Sequence, residues 1–262
     1  MATMSSGELE ASSSGVAPTS SSGEAGSTSG SPGGTSSGEV ASTSTPVGST
    51  SSTGEVSGDT SGGSPVEPIV VKNPGFEEDP VADGTYTDSI VPAGWMKYDP
   101  DSIIGLDYNS LGVLNPTGTV LYPDGAPEGS NVALVFLWRD QTSGSPAGYV
   151  QVLAAALQAS TEYTLRVKVG NIAPEVMAPY DLAGFPGYRV ELLAGGAVLA
   201  ADDDTLAPLD GEFVQSEVVF ASKADDAELG MPLAIRLINK NQADSGIEVN
   251  FDDVELIAAP AP

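Results

Sequence analysis

The sequence predicts an all-β fold, an antiparallel two-sheet jelly-roll β-sandwich preceded by a disordered Ser/Gly/Thr-rich tail. Residues 1–66 contain no aromatic residue, no Lys and no Arg, and burial of so little apolar surface cannot offset the entropy of ordering. From Ile69 onward, short alternating segments are separated by clusters of Gly, Pro, Asn and Asp, which is typical of sandwiches rather than of βαβ units. We therefore expect a low-complexity tail over residues 1–66 and one domain over residues 67–262.

Three segments show the alternation that predicts strands with one buried face. Their apolar positions are Tyr163, Leu165, Val167 and Val169; Tyr188, Val190 and Leu192; and Leu233, Ile235 and Leu237. Arg, Lys, Glu and Thr occupy most of the positions between them. One wet face predicts antiparallel pairing, because parallel sheets are normally covered on both faces.

Local signals predict the connections between the strands. Val150–Ala159 has helix-forming residues, but it lies directly before a strong strand and is interpreted as a strand and a bend. Gly195 and Gly196 predict a hairpin turn. Asp202–Asp204 is interpreted as a solvated turn rather than a second calcium site, and Trp95 as a core residue.

Composition excludes several kinds of chemistry. The chain has no Cys and no His, so thiolate or imidazole metal sites, cysteine nucleophiles and Ser-His-Asp hydrolysis are excluded. The net charge is −27, and the tail holds six of the 36 acids and none of the nine bases. Nucleic acid and anionic lipid would be repelled, whereas hard cations such as Ca²⁺ would be attracted.

The sequence also carries expectations about location and partners. The first ten residues show no export signal, and no apolar run is long enough to insert into a membrane. A Ser/Thr/Gly stalk before a cysteine-free acidic β-domain nevertheless predicts a secreted or cell-surface protein. A small-molecule or glycan ligand is expected, and oligomerisation stays open.

Carboxylates cluster near both ends of the domain. Glu77 and Glu78 follow the first predicted strand, and Asp252 and Asp253 lie within the last one. In Ile247–Leu256, the apolar residues before and after this Asp pair fall on opposite parities, and a β-bulge at the pair would return both sets to the core. Because the terminal strands of a jelly roll lie close together, Glu77, Glu78, Asp252 and Asp253 are predicted to hold a structural Ca²⁺.

Aromatic residues offer a second kind of site. Flat aromatic faces stack on the apolar faces of sugar rings, and the candidates for such a platform are Trp95, Trp138, Tyr98, Tyr108, Tyr122 and Tyr180. Core packing is the competing interpretation for each of them.

Several motifs resemble a known family. Asn73-Pro-Gly-Phe-Glu77, Gly94-Trp95, the Thr161-Glu-Tyr-Thr-Leu165 run and Phe251-Asp-Asp-Val-Glu-Leu256 resemble galactose-binding-like jelly rolls of the carbohydrate-binding type. Further segments resemble the Stig cyclases, the calcium-containing enzymes of hapalindole and fischerindole biosynthesis. Those segments are Trp95–Pro100, Leu114–Pro116, Pro127–Ala133, Val169–Asn171 and Phe185–Gly196.

The resemblance implies a calcium-stabilised sandwich with an apolar pocket, in which an aspartic acid protonates an indole terpenoid to start its rearrangement and cyclisation. By motif order, Asp252 or Asp253 would be the acid, and Trp138 with Phe136 or Phe185 the aromatic wall. The leading hypothesis is a calcium-stabilised module that binds carbohydrate or another ring-bearing ligand through Trp138, Phe136, Phe185 and Tyr98. A Stig-cyclase-like isomerase and a stalked adhesion module are the alternatives.

Overall fold

The computed structural model describes residues 66–138, 144–177, 179–242 and 245–262, and the predicted tail, apart from Val66, lies outside them. Within these residues the chain forms strands and no helix, so nothing described could cross a membrane as a helix. The strands are β1 (Glu67–Ile69), β2 (Tyr86–Thr87), β3 (Met96–Tyr98), β4 (Ser110–Leu114), β5 (Val132–Phe136), β6 (Ala147–Ala156), β7 (Thr161–Asn171), β8 (Val176–Met177), β9 (Tyr180–Asp181), β10 (Tyr188–Ala194), β11 (Ala197–Asp203), β12 (Glu212–Ala221), β13 (Pro232–Asn239) and β14 (Glu248–Pro260).

Two antiparallel sheets confirm the predicted sandwich. The larger sheet has the order β12-β7-β14-β5-β4-β2, with β1 also pairing with β14, and the smaller sheet has the order β11-β10-β13-β6-β3. A separate two-stranded hairpin joins β8 to β9. The terminal strands β1 and β14 pair directly, with Glu67 opposite Ala258 and Ile69 opposite Leu256.

Apolar side chains form two clusters, one on each face of the larger sheet. The sandwich core between the sheets includes Phe76, Trp95, Tyr149, Val167, Val190, Ile235, Val249 and Phe251. The outer cluster lies on the opposite face and consists of Leu114, Tyr122, Val132, Leu134, Ile172, Leu182 and Ile247. Successive side chains of β5 point to opposite faces of the sheet and contribute to both clusters. Ala133 and Val135 face the core, whereas Val132 and Leu134 face outward.

The predicted bulge in β14 is present. Its pairing with β7 shifts register between Asp252 and Glu255, and Asp253 has a φ of 49°. Val249 and Phe251 before the shift, and Val254 and Leu256 after it, all belong to the sandwich core. Ile247 was expected to share their face, but it precedes β14 and packs in the outer cluster instead.

Most of the predicted local features are confirmed. Val150–Ala156 is part of β6, a turn follows at Ala159 and Ser160, and Gly195-Gly196 connects β10 to β11. Trp95 is buried in the core.

The interpretation of Asp202–Asp204 as a solvated turn is wrong for its first residue. Asp202 lies in β11 and is buried. Its carboxylate accepts hydrogen bonds from Tyr188, Thr205 and Ser216. These donors hold the pKa of Asp202 below its usual range against the opposing effect of burial. Burial is tolerated because the charge is fully hydrogen-bonded.

Two valine-to-alanine substitutions should lower the free energy of unfolding to different extents. Val167 is fully buried and Val219 is about half exposed. Val167→Ala should lower the free energy of unfolding by about 2 kcal/mol, because two buried methyl groups are lost and a cavity remains. Val219→Ala is the matched control and should change it by about 0.5 kcal/mol or less. Urea unfolding measures both, and equal losses would contradict the assigned core.

Candidate active site

A cavity of about 580 Å³ opens on the outer face of the larger sheet. Side chains of β4, β5 and β14 form its floor, and residues from the segments 84–89, 105–109, 119–121, 172–175 and 180–182 form its walls. The apolar floor and walls come from Leu114, Leu134, Phe136, Ile172 and Leu182. Large apolar pockets with a few polar groups are the usual form of small-molecule sites.

Aromatic rings meet at one side of this cavity. Tyr180 on β9 packs edge-to-face against Phe136, with ring centroids 5.1 Å apart, and against Trp138, at 4.9 Å. Tyr108, in the loop before β4, also packs edge-to-face against Tyr180, with ring centroids 5.6 Å apart. Such rings present electron-rich faces and can stabilise positive charge that develops on a bound molecule.

Glu248 supplies the buried acid of the cavity. It opens β14, lies opposite Phe136 on β5 and is only 4% exposed. Burial raises its pKa from 4.5 to about 7, and a hydrogen bond from the Asn250 amide opposes the rise. A carboxyl group with this pKa is protonated in a large share of molecules at neutral pH, which suits it to general acid catalysis.

The charges around the cavity have one sign. Asp88 and Glu175 line it together with Glu248, and among the described residues that line it none is Lys or Arg. An anionic ligand would be repelled, whereas a cation, or a neutral molecule that becomes cationic during reaction, would be stabilised.

The structure brings together only part of the predicted aromatic set. Phe136 lines the cavity, and Trp138 reaches it through its contact with Tyr180. Phe185 instead packs on Tyr188 at the edge of the sandwich core. Tyr98 lies on β3 in the smaller sheet, where the Arg236 guanidinium is 4.3 Å from its ring centroid. Neither Phe185 nor Tyr98 lines the cavity.

The two acidic ends of the domain meet at a second place, which we call the end clasp and define by Glu77, Glu128, Asn131 and Asp252. Glu77 accepts hydrogen bonds from the main-chain N–H groups of Ser130 and Asn131, at 2.7 and 2.6 Å. Asp252 accepts one from the N–H of Glu128, at 2.8 Å. The loop before β5 thereby joins the segment after β1 to the bulge of β14.

The remaining predicted acids lie at the edge of the end clasp. Glu78 and Asp253 are exposed, whereas Asp252 is fully buried. Burial raises the pKa of Asp252 to about 8, and the charges of Glu128 and Asp253 add to this rise. Neither Asp252 nor Asp253 lines the cavity, so the buried acid that faces it is Glu248.

The donor chemistry of the end clasp fits a calcium ion. No group of three Asp or Glu residues in the described parts of the chain is compact enough to hold a metal by itself. Calcium also takes amide and carbonyl oxygens, however, and Asn131 Oδ1 is buried without a hydrogen-bond partner. A Cβ built on Gly75 would lie 1.9 Å from Glu128 Oε2 and 3.6 Å from Asp252 Oδ1, so two carboxylates border the space above this glycine.

Two important residues of the cavity are not predicted from the sequence, Glu248 as its buried acid and Tyr180 as the ring on which the other aromatic residues pack. Glu248 is a single acid between Ile247 and Val249 in an apolar strand, and a charge at such a position is a signal of a buried functional group. Tyr180 was considered only as a sugar-stacking candidate, and its place beside Phe136 and Trp138 depends on the β8–β9 hairpin.

Comparison with known proteins gives one family and several similar structures. The family model described as HpiC1 cyclase, of the HpiC1-like family, matches residues 67–257. A comparison with curated protein sequences finds no match.

The crystal structure of the Stig cyclase Fisc from Fischerella sp. TAU, in complex with (3Z)-3-(1-methyl-2-pyrrolidinylidene)-3H-indole, is 40% identical, with a TM-score of 0.69. The match covers 76% of this chain and 100% of that one. A cyclase from Fischerella sp. TAU in complex with 4-(1H-indol-3-yl)butan-2-one is 41% identical, with a TM-score of 0.68. The match covers 75% of this chain and 99% of that one.

Glu248 should make stability depend on pH. Its pKa in the folded chain lies above the ordinary value, so its contribution is fully present below about pH 4.5 and is lost as pH rises through about 7. Glu248→Gln should therefore gain stability relative to the parent between about pH 4.5 and 7, and should stay more stable by a constant amount of about 3 kcal/mol up to pH 9. Urea unfolding from pH 5 to 9 measures the difference. Glu255→Gln, on the exposed face of the same strand, should show no such trend, and a flat Glu248→Gln difference would contradict the assignment.

Proposed function

The chain belongs to the HpiC1-like cyclase family, and on this premise we propose that it catalyses the acid-initiated rearrangement and cyclisation of an indole-bearing small molecule. The cavity on the larger sheet is the proposed active site. The observation that carries the proposal is the buried carboxyl group of Glu248 in a cavity that has aromatic walls and no basic residue in its described lining.

Glu248 is the proposed general acid. Proton transfer from its carboxyl group to an unsaturated carbon of the substrate forms a C–H bond and leaves a cation. Ring closure then forms a C–C bond, and loss of a proton from the cyclised cation completes the isomerisation and restores the acid. The pKa of about 7 leaves enough protonated Glu248 at neutral pH to start this sequence.

The aromatic and acidic surroundings support the same chemistry. Tyr180, Phe136 and Tyr108 present rings beside the space where a cation would form, and Asp88 and Glu175 add negative potential. The apolar floor limits the access of water, which would otherwise trap the cation as an alcohol.

The indole class of substrate is proposed from the relatives. Two of the similar structures hold indole compounds, and both proteins are cyclases. The cavity volume of about 580 Å³ lies in the range that holds drug-sized molecules.

Carbohydrate binding, the leading hypothesis from the sequence, is not supported by these findings, which favour the cyclase alternative. A sugar platform needs rings that lie coplanar on an open surface. The rings here meet at interplanar angles of 72° to 81°. In the described parts of the chain, the ring arrangement at the cavity therefore does not favour glycan binding.

Calcium is proposed as a structural ion at the end clasp. Glu77, Glu128, Asn131 and Asp252 would hold it through carboxylate and amide oxygens. Bound calcium would neutralise carboxylates and tie the segment after β1 to the bulge of β14. It has no proposed part in the proton transfer at Glu248. Location outside the cytoplasm stays a prediction from composition alone.

Calcium should stabilise the folded chain. At 100 times its dissociation constant, a ligand that binds only the folded state adds about 2.7 kcal/mol, so removal by EGTA should lower the melting temperature by several degrees. Asp252→Asn should lose this response, whereas Asp225→Asn, at an exposed turn, should keep it. A melting temperature that EGTA leaves unchanged in the parent protein would contradict the calcium proposal.

Glu248→Gln should abolish turnover of an indole terpenoid substrate. General acids contribute about 10²- to 10⁴-fold to rate, so kcat should fall by that factor. Binding of 4-(1H-indol-3-yl)butan-2-one, measured by tryptophan fluorescence, should change little, because the side chain keeps its size. Glu255→Gln should leave both quantities unchanged. Unaltered kcat in Glu248→Gln would overturn the proposed acid, and loss of turnover in Asp252→Asn alone would favour the assignment made from the sequence.

A further inference from the structure

A buried chain of hydrogen bonds runs from the floor of the cavity to the loop before β5. Asn250 Nδ2 donates to Glu248 Oε1 at 3.0 Å, and the Tyr122 hydroxyl donates to Asn250 Oδ1 at 2.7 Å. Asn250 is fully buried and Tyr122 is 1% exposed. Neither residue lines the cavity, so their contact with it passes through Glu248.

The orientation of the Asn250 amide follows from a third contact. Nδ2 also donates to the main-chain carbonyl of Ala133, at 3.1 Å, and a carbonyl oxygen can only accept. The amide NH₂ group therefore faces Ala133 and Glu248, and its oxygen faces Tyr122. Burial raises the pKa of Tyr122 well above 10, so its hydroxyl stays protonated and able to donate.

This orientation makes the two oxygens of Glu248 unequal. Oε1 receives an N–H donor that cannot rotate away, because both ends of the Asn250 amide are held. Within the described residues, Oε2 accepts no hydrogen bond, and the residue lies in the lining of the cavity. An oxygen that accepts an N–H hydrogen bond is the carbonyl oxygen of the acid, so the hydroxyl proton resides on the other oxygen.

We propose that Asn250, held in place by Tyr122, is a positioning residue that keeps the transferable proton of Glu248 on Oε2, the oxygen that is free to meet a bound substrate. The proposal rests on the proposed function, because it assigns a role to residues that act through Glu248. It adds the residues that decide which oxygen delivers the proton and how strongly the acid holds it.

The titratable groups near Glu248 are two tyrosines and two carboxylates, and none of them donates a hydrogen bond to it as the neutral Asn250 amide does. Tyr122 on the loop before β5 and Tyr149 on β6 interact with its charge, and both are neutral phenols whose pKa burial raises. Asp88 and Glu175 line the same cavity from its walls. Burial raises the pKa of Glu248, and the hydrogen bond from the Asn250 amide opposes this rise.

The test is a titration of Glu248 by NMR in the full chain labelled with ¹³C at glutamate carboxyl carbons, with the signal assigned by its absence in Glu248→Gln. The parent midpoint should lie near 7. Asn250→Leu should raise it by about one to two pH units, since a hydrogen bond to a charged group is lost. Tyr122→Phe should raise the midpoint by about half a pH unit, since the Asn250 amide loses the hydrogen bond that fixes its oxygen.

Tyr163→Phe is the matched control. Tyr163 is buried to the same degree as Tyr122, and its hydroxyl accepts a hydrogen bond from the N–H of Gln158, away from the cavity. In Tyr163→Phe, the midpoint of the Glu248 titration should equal that of the parent. If Asn250→Leu does not fold, Tyr122→Phe alone decides the question.

A merely structural role for Asn250 would lower stability and leave the Glu248 midpoint unchanged, and that outcome overturns the proposal. Where a substrate is turned over, Asn250→Leu should lower kcat about threefold to tenfold with little change in KM, because a weaker acid donates its proton less readily. Failure of the proposed function would appear separately, as absence of turnover in the parent while the titration midpoints still shift.

Discussion

The bulge in β14 is the constraint on which the rest of the structure depends. A strand without it could bury either Val249 and Phe251 or Val254 and Leu256 in the sandwich core, but not both. The extra residue, Asp253, adopts a left-handed backbone and lets both pairs face inward. The alternate residues before it, Glu248, Asn250 and Asp252, then form one polar row on the outer face of the larger sheet.

This row places two functional groups on one strand, Glu248 in the cavity and Asp252 in the end clasp. At its first position lies the Glu248 carboxyl group, whose pKa is raised to about 7 by burial in an apolar cavity. At its last position a buried carboxylate lies beside Glu128, where the proposed calcium ion would neutralise it. Asn250 separates the two and is hydrogen-bonded on both sides of its amide. The acid of the cavity and the end clasp therefore lie only four residues apart on the same strand, at Glu248 and Asp252.

The fold could be predicted further from the sequence than the site could. In β7, β10 and β13 apolar residues alternate with polar ones, and the alternation changes parity at Asp252. Both features can be seen in the local sequence, and in each case only one strand orientation buries the apolar residues. Asp202 was misjudged because its partners Tyr188 and Ser216 come from two other strands. Glu248 escaped notice for a related reason, since its burial depends on loops far away in sequence. Phe185 and Tyr98 are aromatic like Phe136, but Phe185 lies in the loop before β10 and Tyr98 on β3 of the smaller sheet, so neither reaches the cavity.

Two kinds of structural element form the cavity, strands of the larger sheet at its floor and loops with the β8–β9 hairpin at its walls. Its acid and much of its apolar floor belong to β4, β5 and β14, whose opposite faces pack in the sandwich core. Tyr180, Tyr108 and Ile172 belong to the short β8–β9 hairpin and to loops, whose exchange would leave that core untouched. Substitutions in these walls would therefore change the shape of the cavity, and with it the product of the proposed cyclisation, while the sheet that carries Glu248 continues to fold.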